Sequence, residues 1–173
     1  MGFVTIGIFS RNLEGLQGSV FQMISHGLIS AALFLSAGFL IDKMKTKNID
    51  NFGGLWNQMP IFSVFFMVYC LGAISFPGTT GFIGEFLILL GAFKINFLIA
   101  FIAAFGVILS ACYVLWLYNR VCFGNNNFRG ISDLNAQEML VFLIFLLLIV
   151  ILGIYPNFLI SFYELSTNML IIN

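Results

Sequence analysis

The chain has 173 residues, of which 61% are apolar, 17% aromatic and only 8% charged, and its mean hydropathy is +1.06. This composition excludes a water-soluble globular domain, and the balance of seven basic and seven acidic side chains gives no net charge for binding nucleic acid. Charged residues are missing from residues 15–41, 51–84, 95–119 and 139–163, and each of these stretches can cross roughly 30 Å of hydrocarbon. We therefore predict an all-α integral membrane protein with about four transmembrane helices, forming a single membrane domain over residues 1–173.

The first complete membrane span is predicted at residues 18–41. Residues 1–10 before it are apolar but too short to cross a bilayer, so we interpret them as the end of a truncated helix. The polar residues of the span recur at helical spacing: Ser19, Gln22, His26 and Ser30. This spacing predicts a polar face that points into a helix bundle rather than at lipid.

The second span, residues 60–93, is too long for one straight crossing and contains the sequence Pro-Gly-Thr-Thr-Gly at residues 77–81. Proline removes a backbone donor and glycine permits non-helical dihedral angles, so we predict a discontinuous helix broken at Pro77–Gly81. Freed backbone groups are costly in hydrocarbon unless protein or water satisfies them. We expect Thr79 and Thr80 to hold water or these freed groups, an arrangement typical of a transport pathway.

Two further spans are predicted at residues 97–118 and 138–155, where Pro156 ends the last one. The tail, residues 157–173, carries Glu164 among apolar residues. Two interpretations of this tail remain open, an interfacial helix and a contact with a second subunit.

Basic residues in the predicted loops indicate a topology. They form two groups, one before the broken span and one after the third span: Lys43, Lys45 and Lys47, then Arg120 and Arg129. If residues 60–93 cross the membrane once, both groups lie on the same side, and the positive-inside rule predicts the cytoplasmic or matrix side. Two separate crossings in that stretch would be the less economical arrangement.

Glu85 is the first candidate for chemistry, because it lies in an apolar segment four residues after the predicted break. An acidic residue at the centre of a membrane helix costs on the order of 3 kcal/mol, which predicts a functional reason for its presence. A basic partner that moves could switch the proton occupancy of this carboxyl group, which is the behaviour of a proton relay. The alternative is a neutral acid that satisfies the broken backbone. Lys94 could reach Glu85 through water, although extension of its side chain to the interface is favoured.

His26 is the second candidate, as the single histidine on the polar face of the first span. Imidazole exchanges protons near neutral pH, so His26 suits proton transfer, but a hydrogen-bonded packing role has equal weight on the residues alone. No second ligand lies at metal-binding spacing, and we predict no metal site. The cysteines lack paired spacing and are interpreted as packing residues: Cys70, Cys112 and Cys122. No nucleotide, haem or iron–sulfur motif is visible, so no cofactor or redox chemistry is predicted in this chain.

Several segments resemble subunit 4 of NADH:ubiquinone oxidoreductase, an antiporter-like membrane subunit of respiratory complex I. They are residues 22–28 (QMISHGL), 53–55 (GGL), 76–89 (FPGTTGFIGEFLIL), 113–120 (YVLWLYNR) and 132–135 (SDLN). The segment around Glu85 is the most specific, and the resemblance runs nearly end to end. Related cation/proton antiporter subunits share a looser version of these segments.

The resemblance implies an antiporter-like fold of inverted five-helix repeats, each with a discontinuous helix, and a polar axis of lysine, histidine and glutamate. In this fold His26 would belong to the central axis, and Glu85 would be the terminal proton-transfer carboxylate. The chain resembles only the last third of the family, and the acidic and basic axis residues of the first half are absent. A separate chain would then have to supply the missing N-terminal helices, and a split gene would explain this.

The resemblance also implies the setting of the protein. It would be a subunit of proton-translocating NADH:ubiquinone reductase, multi-pass in the mitochondrial inner membrane or, alternatively, a bacterial inner membrane. Its partners would be other membrane-arm subunits and the lipid bilayer, with no nucleic acid. NAD, FMN, iron–sulfur clusters and ubiquinone would be bound by other subunits. The alternatives are a cation/proton antiporter subunit, which would exchange ions without NADH oxidation, and a purely structural membrane fragment, in which Glu85 and His26 could be replaced without loss of turnover.

Overall fold

The computed structural model describes residues 1–49, 52–124 and 130–172, with the side chains of the last helix described as far as Leu170. Within these ranges all regular secondary structure is helical. The helices are α1 (Gly2–Phe9), α2 (Leu13–Met44), α3 (Leu55–Gln58), α4 (Pro60–Ala73), α5 (Thr80–Ile95), α6 (Phe97–Cys122), α7 (Ala136–Ile154) and α8 (Asn157–Ile172). Arg129, on which part of the predicted topology depends, lies outside the described residues.

Three of these helices, α2, α6 and α7, are long and apolar enough to cross a membrane, and α4 is a shorter apolar helix. With 32 residues, α2 is about 48 Å long at 1.5 Å per residue, which exceeds the predicted span of residues 18–41 at both ends. It begins where the Asn12 side chain accepts a hydrogen bond from the amide of Gly15, 2.8 Å away. It ends at Lys45, whose φ of 55° lies in the left-handed region.

The discontinuous helix is formed by α4 and α5, separated by residues 74–79. The break begins before Pro77, because α4 ends in a Schellman motif. The amide of Ser75 donates to the carbonyl of Gly72, the amide of Phe76 donates to the carbonyl of Leu71, and Ser75 has a φ of 61°. Thr80 and Gly81, predicted to lie in the break, instead form the first turn of α5.

Helix α7 packs directly against this break. A Cβ atom added to Gly153 would lie 2.5 Å from the carbonyl carbon of Thr79 and 2.6 Å from the carbonyl oxygen of Gly78. Only glycine allows the two backbones to approach so closely. The non-helical backbone of the break is therefore covered by protein on this side, as its polar groups require in a membrane.

An aromatic core joins α4, α6, α7 and the C-terminal half of α2. Its rings are those of Phe39, Phe62, Phe65, Phe66, Tyr69, Tyr118 and Phe142. The buried Tyr69 hydroxyl donates to the carbonyl of Phe142 at 2.6 Å, and the Tyr118 hydroxyl donates to the carbonyl of Ser63 at 3.2 Å. These two hydrogen bonds fix α7 and α6 to α4 and leave both phenol groups satisfied.

The N-terminus of α4 is capped from a distant loop. Both carboxylate oxygens of Asp133 accept hydrogen bonds, from the amide of Ile61 at 2.9 Å and from the amide of Phe62 at 3.2 Å. These amides belong to the first turn of α4, which begins at Pro60, and first-turn amides have no carbonyl partner within their own helix. The Asp133 loop therefore fixes the start of the discontinuous helix.

A glycine interface joins α2 and α5 in antiparallel register. A Cβ added to Gly18 would lie 2.8 Å from the amide nitrogen of Ile88, and one added to Gly91 would lie 2.7 Å from the amide nitrogen of Gly15. These contacts bring the two helix backbones together. The two helices form the most extensive helix–helix contact in the described chain.

Helices α1 and α8 pack on the N-terminal half of α2. The Ser19 hydroxyl donates to the carbonyl of Val4 in α1 at 3.0 Å, and the Tyr163 hydroxyl of α8 donates to the carbonyl of Gln17 at 3.3 Å. The tail thus forms a helix that binds to the chain itself on one face. Its other face exposes large apolar side chains: Phe158, Phe162, Leu165, Met169 and Leu170.

Candidate functional site

Glu85 lies in the second turn of α5, half-buried, on the side of the helix that meets α2. The Gln22 side-chain amide of α2 donates to Glu85 Oε1 across 3.5 Å, at the long limit for a hydrogen bond. The Ser75 side chain, in the break, is also close enough to interact with the carboxyl group. The carboxyl group is therefore held between the break and α2.

The glycine interface places Gln22 at this site. A Cβ added to Gly84 would lie 2.3 Å from Gln22 Oε1 and 2.9 Å from Gln22 Cα, so the amide lies flat against the backbone of α5. Because Gly15 meets Gly91 and Gly18 meets Ile88, the antiparallel register places Ser25, one turn after Gln22, at the level of Thr80 and Gly81. The register thus places four polar side chains along this interface just after the break.

We refer to Gln22, Ser25, Thr80 and Glu85 as the polar pocket. One side-chain oxygen of each is buried and has no hydrogen bond of good geometry within the described residues: Gln22 Oε1, Ser25 Oγ, Thr80 Oγ1 and Glu85 Oε2. Ser25 and Thr80 are each only 1% exposed. Buried polar atoms are normally satisfied by protein or ordered water, so this group of oxygens indicates a hydrated site.

Thr79 differs from Thr80 in having a partner. Its hydroxyl donates to the carbonyl of Phe76 at 2.8 Å and so satisfies one backbone group of the break, which is one of the two roles predicted for this pair of residues. Thr80 lies with its hydroxyl in the polar pocket instead.

His26 lies one turn after Gln22 on α2, but its side chain is exposed. Its Nε2 is 3.4 Å from the Ser30 hydroxyl, and within the described residues no contact joins it to Glu85. The predicted polar face therefore divides into two parts. Ser19 and Gln22 contact α1 and α5, whereas His26 and Ser30 face outward from this chain.

Lys94 does not bind Glu85. Its ammonium group forms an ion pair with Glu14 at the start of α2, and its side chain is 57% exposed. Nearby, the Asn12 side chain donates to the carbonyl of Gly91 at 2.7 Å. Neither contact was predicted from the sequence, and both join the start of α2 to the end of α5. Helical spacing did identify Gln22, although not its partner.

A metal site is not formed by the part of the chain that the structure describes, where no three His, Cys, Asp or Glu side chains are grouped suitably. Cys70 and Cys122 are buried within the aromatic core, and Cys112 is exposed on α6. None of the three forms a disulfide in this structure.

Comparison with known proteins assigns the family. Residues 1–112 match the model of the transmembrane family of NADH:quinone oxidoreductase and Mrp antiporters. The chain belongs to this family. Within it, the chain is 50% identical to NADH-ubiquinone oxidoreductase chain 4 of Marchantia polymorpha over 99% of its own length and 35% of that relative. It is 47% identical to NADH-quinone oxidoreductase subunit M of Rhodobacter capsulatus over 91% of its length and 31% of that relative.

Structures of the family have the same architecture. A chain of respiratory complex I from Thermus thermophilus matches 98% of this chain with a TM-score of 0.92 and 29% identity, over 36% of its own length. A chain of the Mrp complex from Dietzia matches with a TM-score of 0.83 at 17% identity, which supports the fold alone. The predicted antiporter-like membrane fold and the resemblance to complex I subunit 4 are confirmed. The chain spans about a third of the length of the curated relatives it matches.

Proposed function

We propose that this chain is the C-terminal part of the proton-translocating subunit 4 of NADH:ubiquinone oxidoreductase, in which Glu85 and His26 transfer protons. The observation that carries the proposal is the carboxyl group of Glu85, which lies beside a helix break and among buried, unsatisfied polar oxygens. The proposal is further supported by sequence identities of 43–50% to proteins that are called chain 4 or subunit M of NADH-quinone or NADH-ubiquinone oxidoreductases.

A proton relay needs a group that can hold a proton in a poorly hydrated site and release it. The Gln22 amide can donate to the Glu85 carboxylate, and the oxygens of the polar pocket can accept from the carboxylic acid. Both protonation states can therefore be hydrogen-bonded at this site. A change in the local hydration or charge could then load or unload the proton.

His26 fits a middle position in the relay because its exposed side chain lies close to Gln22 along α2 and can contact a neighbouring helix. It lies one turn beyond Gln22, on a face of α2 where a Cβ added to Gly27 or Gly38 would meet no other atom within 4 Å. A charged or polar side chain at mid-helix requires cover in a membrane. We propose that this face binds further helices of the antiporter-like subunit, together with the other membrane-arm subunits of complex I.

The remaining functions of the complex would lie elsewhere. NAD, FMN, iron–sulfur clusters and ubiquinone would be bound by other subunits, and this chain would contribute proton transfer without redox chemistry. We propose the mitochondrial inner membrane as its location, because the chain is 48–50% identical to proteins of Arabidopsis thaliana and Marchantia polymorpha that are called chain 4 of NADH-ubiquinone oxidoreductase. A bacterial inner membrane is the alternative, since the Rhodobacter capsulatus relative is 47% identical.

The test is a Glu85→Gln substitution in the intact native complex, with the exposed Glu164→Gln as the matched control. We expect Glu85→Gln to reduce proton translocation at least about tenfold, because an amide cannot release a proton. Glu164→Gln should leave it unchanged. The assay is NADH-driven acidification by proteoliposomes, with NADH oxidation measured in the same preparation. Unchanged translocation by an assembled Glu85→Gln complex would refute the proposal.

A second experiment addresses the partners. Mass spectrometry of the native complex should identify other membrane-arm subunits together with NADH-oxidising subunits. If the purified complex instead shows sodium-dependent exchange without NADH oxidation, the chain is an antiporter subunit. This is the alternative function, because the family also includes Mrp antiporters.

A further inference from the structure

Gln22 is the only side chain on α2 that reaches Glu85 with a hydrogen bond in the described part of the chain. The basic residue nearest along α5, Lys94, is already paired with Glu14 at the other end of the interface. His26 faces away. The immediate partners of the carboxyl group in the described residues are thus neutral, the Gln22 amide from α2 and the Ser75 hydroxyl from the break.

An amide has a property that a base lacks in this position. It carries donors on Nε2 and an acceptor on Oε1, and a half-turn of the group exchanges the two. Toward an ionised carboxylate it donates through Nε2. Toward a protonated carboxyl group it can donate to one oxygen and accept the O–H of the other, so that both groups are satisfied.

The unsatisfied oxygens agree with this pairing. Gln22 Oε1 and Glu85 Oε2 are both buried acceptors without a hydrogen bond of good geometry in the described residues. A proton on Glu85 would give the pair the donor that it lacks. The amide of Gln22 also packs directly on the α5 backbone at Gly84, where a Cβ atom would overlap Gln22 Oε1, and this close packing restricts its position.

We infer that Gln22 is the positioning residue of Glu85, holding its carboxyl group in one orientation in both protonation states. The proton is bound and released by Glu85 alone. The amide of Gln22 gains and loses no proton and only exchanges one hydrogen-bond arrangement for another. Ser25 and Thr80, the other members of the polar pocket, are placed to hold water that delivers or accepts that proton. This inference rests on the proposed proton-transfer role of Glu85.

The experiment compares Gln22→Met with Gln17→Leu in the intact complex. Methionine has the length of glutamine without its amide. Gln17 lies on the same helix and contributes its backbone carbonyl, not its side chain, to the contact with Tyr163. Proton translocation per NADH and the infrared carbonyl stretch of protonated Glu85 are measured, and the stretch is assigned by its loss in Glu85→Gln. Native electrophoresis checks assembly.

We expect Gln22→Met to lower translocation at least about tenfold and to move the carbonyl stretch to higher frequency, because the carbonyl loses its donor. Gln17→Leu should change neither. A merely structural role would lower assembly without moving the stretch in the complexes that form. If Gln22→Met does not assemble, Gln22→Asn, which keeps an amide too short to reach Glu85, is judged by the same two readouts.

The outcomes distinguish the inference from the proposed function. If Glu85→Gln abolishes translocation and the infrared band while Gln22→Met alters neither, the inference is overturned and the proposed function stands. If Glu85→Gln retains full translocation, the proposed function fails and the inference fails with it.

Discussion

The glycine interface and the aromatic core lie at opposite halves of the same helix, α2. Toward α5, the N-terminal half presents Gly15, Gly18, Gln22 and Ser25, and backbones come close enough for polar groups to meet. The C-terminal half presents apolar side chains to large rings, and the hydrogen bonds there fix the helices through Tyr69 and Tyr118.

The difference separates two tasks that a membrane protein has to combine. Lipid offers little hydrophobic drive for helix association, so stability depends on close packing and satisfied hydrogen bonds, which the aromatic core supplies. The glycine interface leaves polar oxygens unsatisfied and places them beside a broken helix. We therefore expect substitutions in the core to change stability alone, and substitutions in the interface to change activity as well.

The largest expected effect on stability belongs to the core. Phe142→Ala removes a ring that is 1% exposed and packs against Phe39, Phe62, Phe65 and Tyr69, which should cost about 3–5 kcal/mol of the free energy of unfolding. The loss of stability is measured as the temperature at which the native complex dissociates or unfolds. The exposed Leu140→Ala on the same helix is the control. Protons translocated per NADH by the surviving complex should not change, and a lower ratio would contradict the separation of tasks.

Gly18→Ala should have an intermediate effect of a different kind. The new methyl group would lie 2.8 Å from the backbone of Ile88 and from the Leu87 Cβ, forcing α2 and α5 apart at a cost of about 1–3 kcal/mol. Because this separation also moves Gln22 from Glu85, translocation per NADH should fall together with thermal stability. Gly38→Ala, whose new methyl group meets nothing within 4 Å in this chain, is the comparison. Equal behaviour of the two variants would argue against a tight interface.

Asp133→Ala should cost about 0.5–2 kcal/mol, the usual loss for a helix cap. The amides of Ile61 and Phe62 would lose their acceptor, so hydrogen exchange of the first turn of α4 should accelerate. Exchange detected by mass spectrometry measures this locally, and Asp42→Ala, exposed at the end of α2, provides the reference. Unchanged exchange at the start of α4 would show that the loop is not its cap.

The smallest expected effect is that of Lys94→Met. Its ion pair with Glu14 is largely exposed to solvent, and such pairs contribute about 0–1 kcal/mol, less at high salt. We expect near-normal thermal stability and unchanged translocation. A loss of translocation comparable to that of Glu85→Gln would instead indicate that Lys94 interacts with Glu85, as the sequence allows.

Local chemistry was enough to predict several features. The apolar stretches predicted the membrane class, and the sequence around Pro77 and Gly78 predicted a discontinuous helix. The start of the break was predicted wrongly. Helix α4 already ends at Ala73 and the chain turns at Ser75, and a left-handed serine has no clear sequence signal. Glu85 was visible as an acidic residue isolated among apolar ones.

The contacts that position these features could not be predicted, because they join residues far apart in sequence. Gln22 and Glu85 are separated by 63 positions, Asp133 and Ile61 by 72, and Lys94 and Glu14 by 80. Helical spacing predicted that Gln22 lies on a polar face of α2, but not that α5 packs against this face. Only the register of the glycine interface determines that neighbour.

The contact between Gly153 and the break has a consequence for biogenesis. During synthesis α4 and α5 emerge well before α7, so the backbone of residues 78 and 79 lacks its cover until the last long helix has been inserted. Uncovered polar backbone is unstable in hydrocarbon. We therefore expect a protein truncated before α7 to leave this segment uncovered and to be a substrate for membrane quality-control proteases.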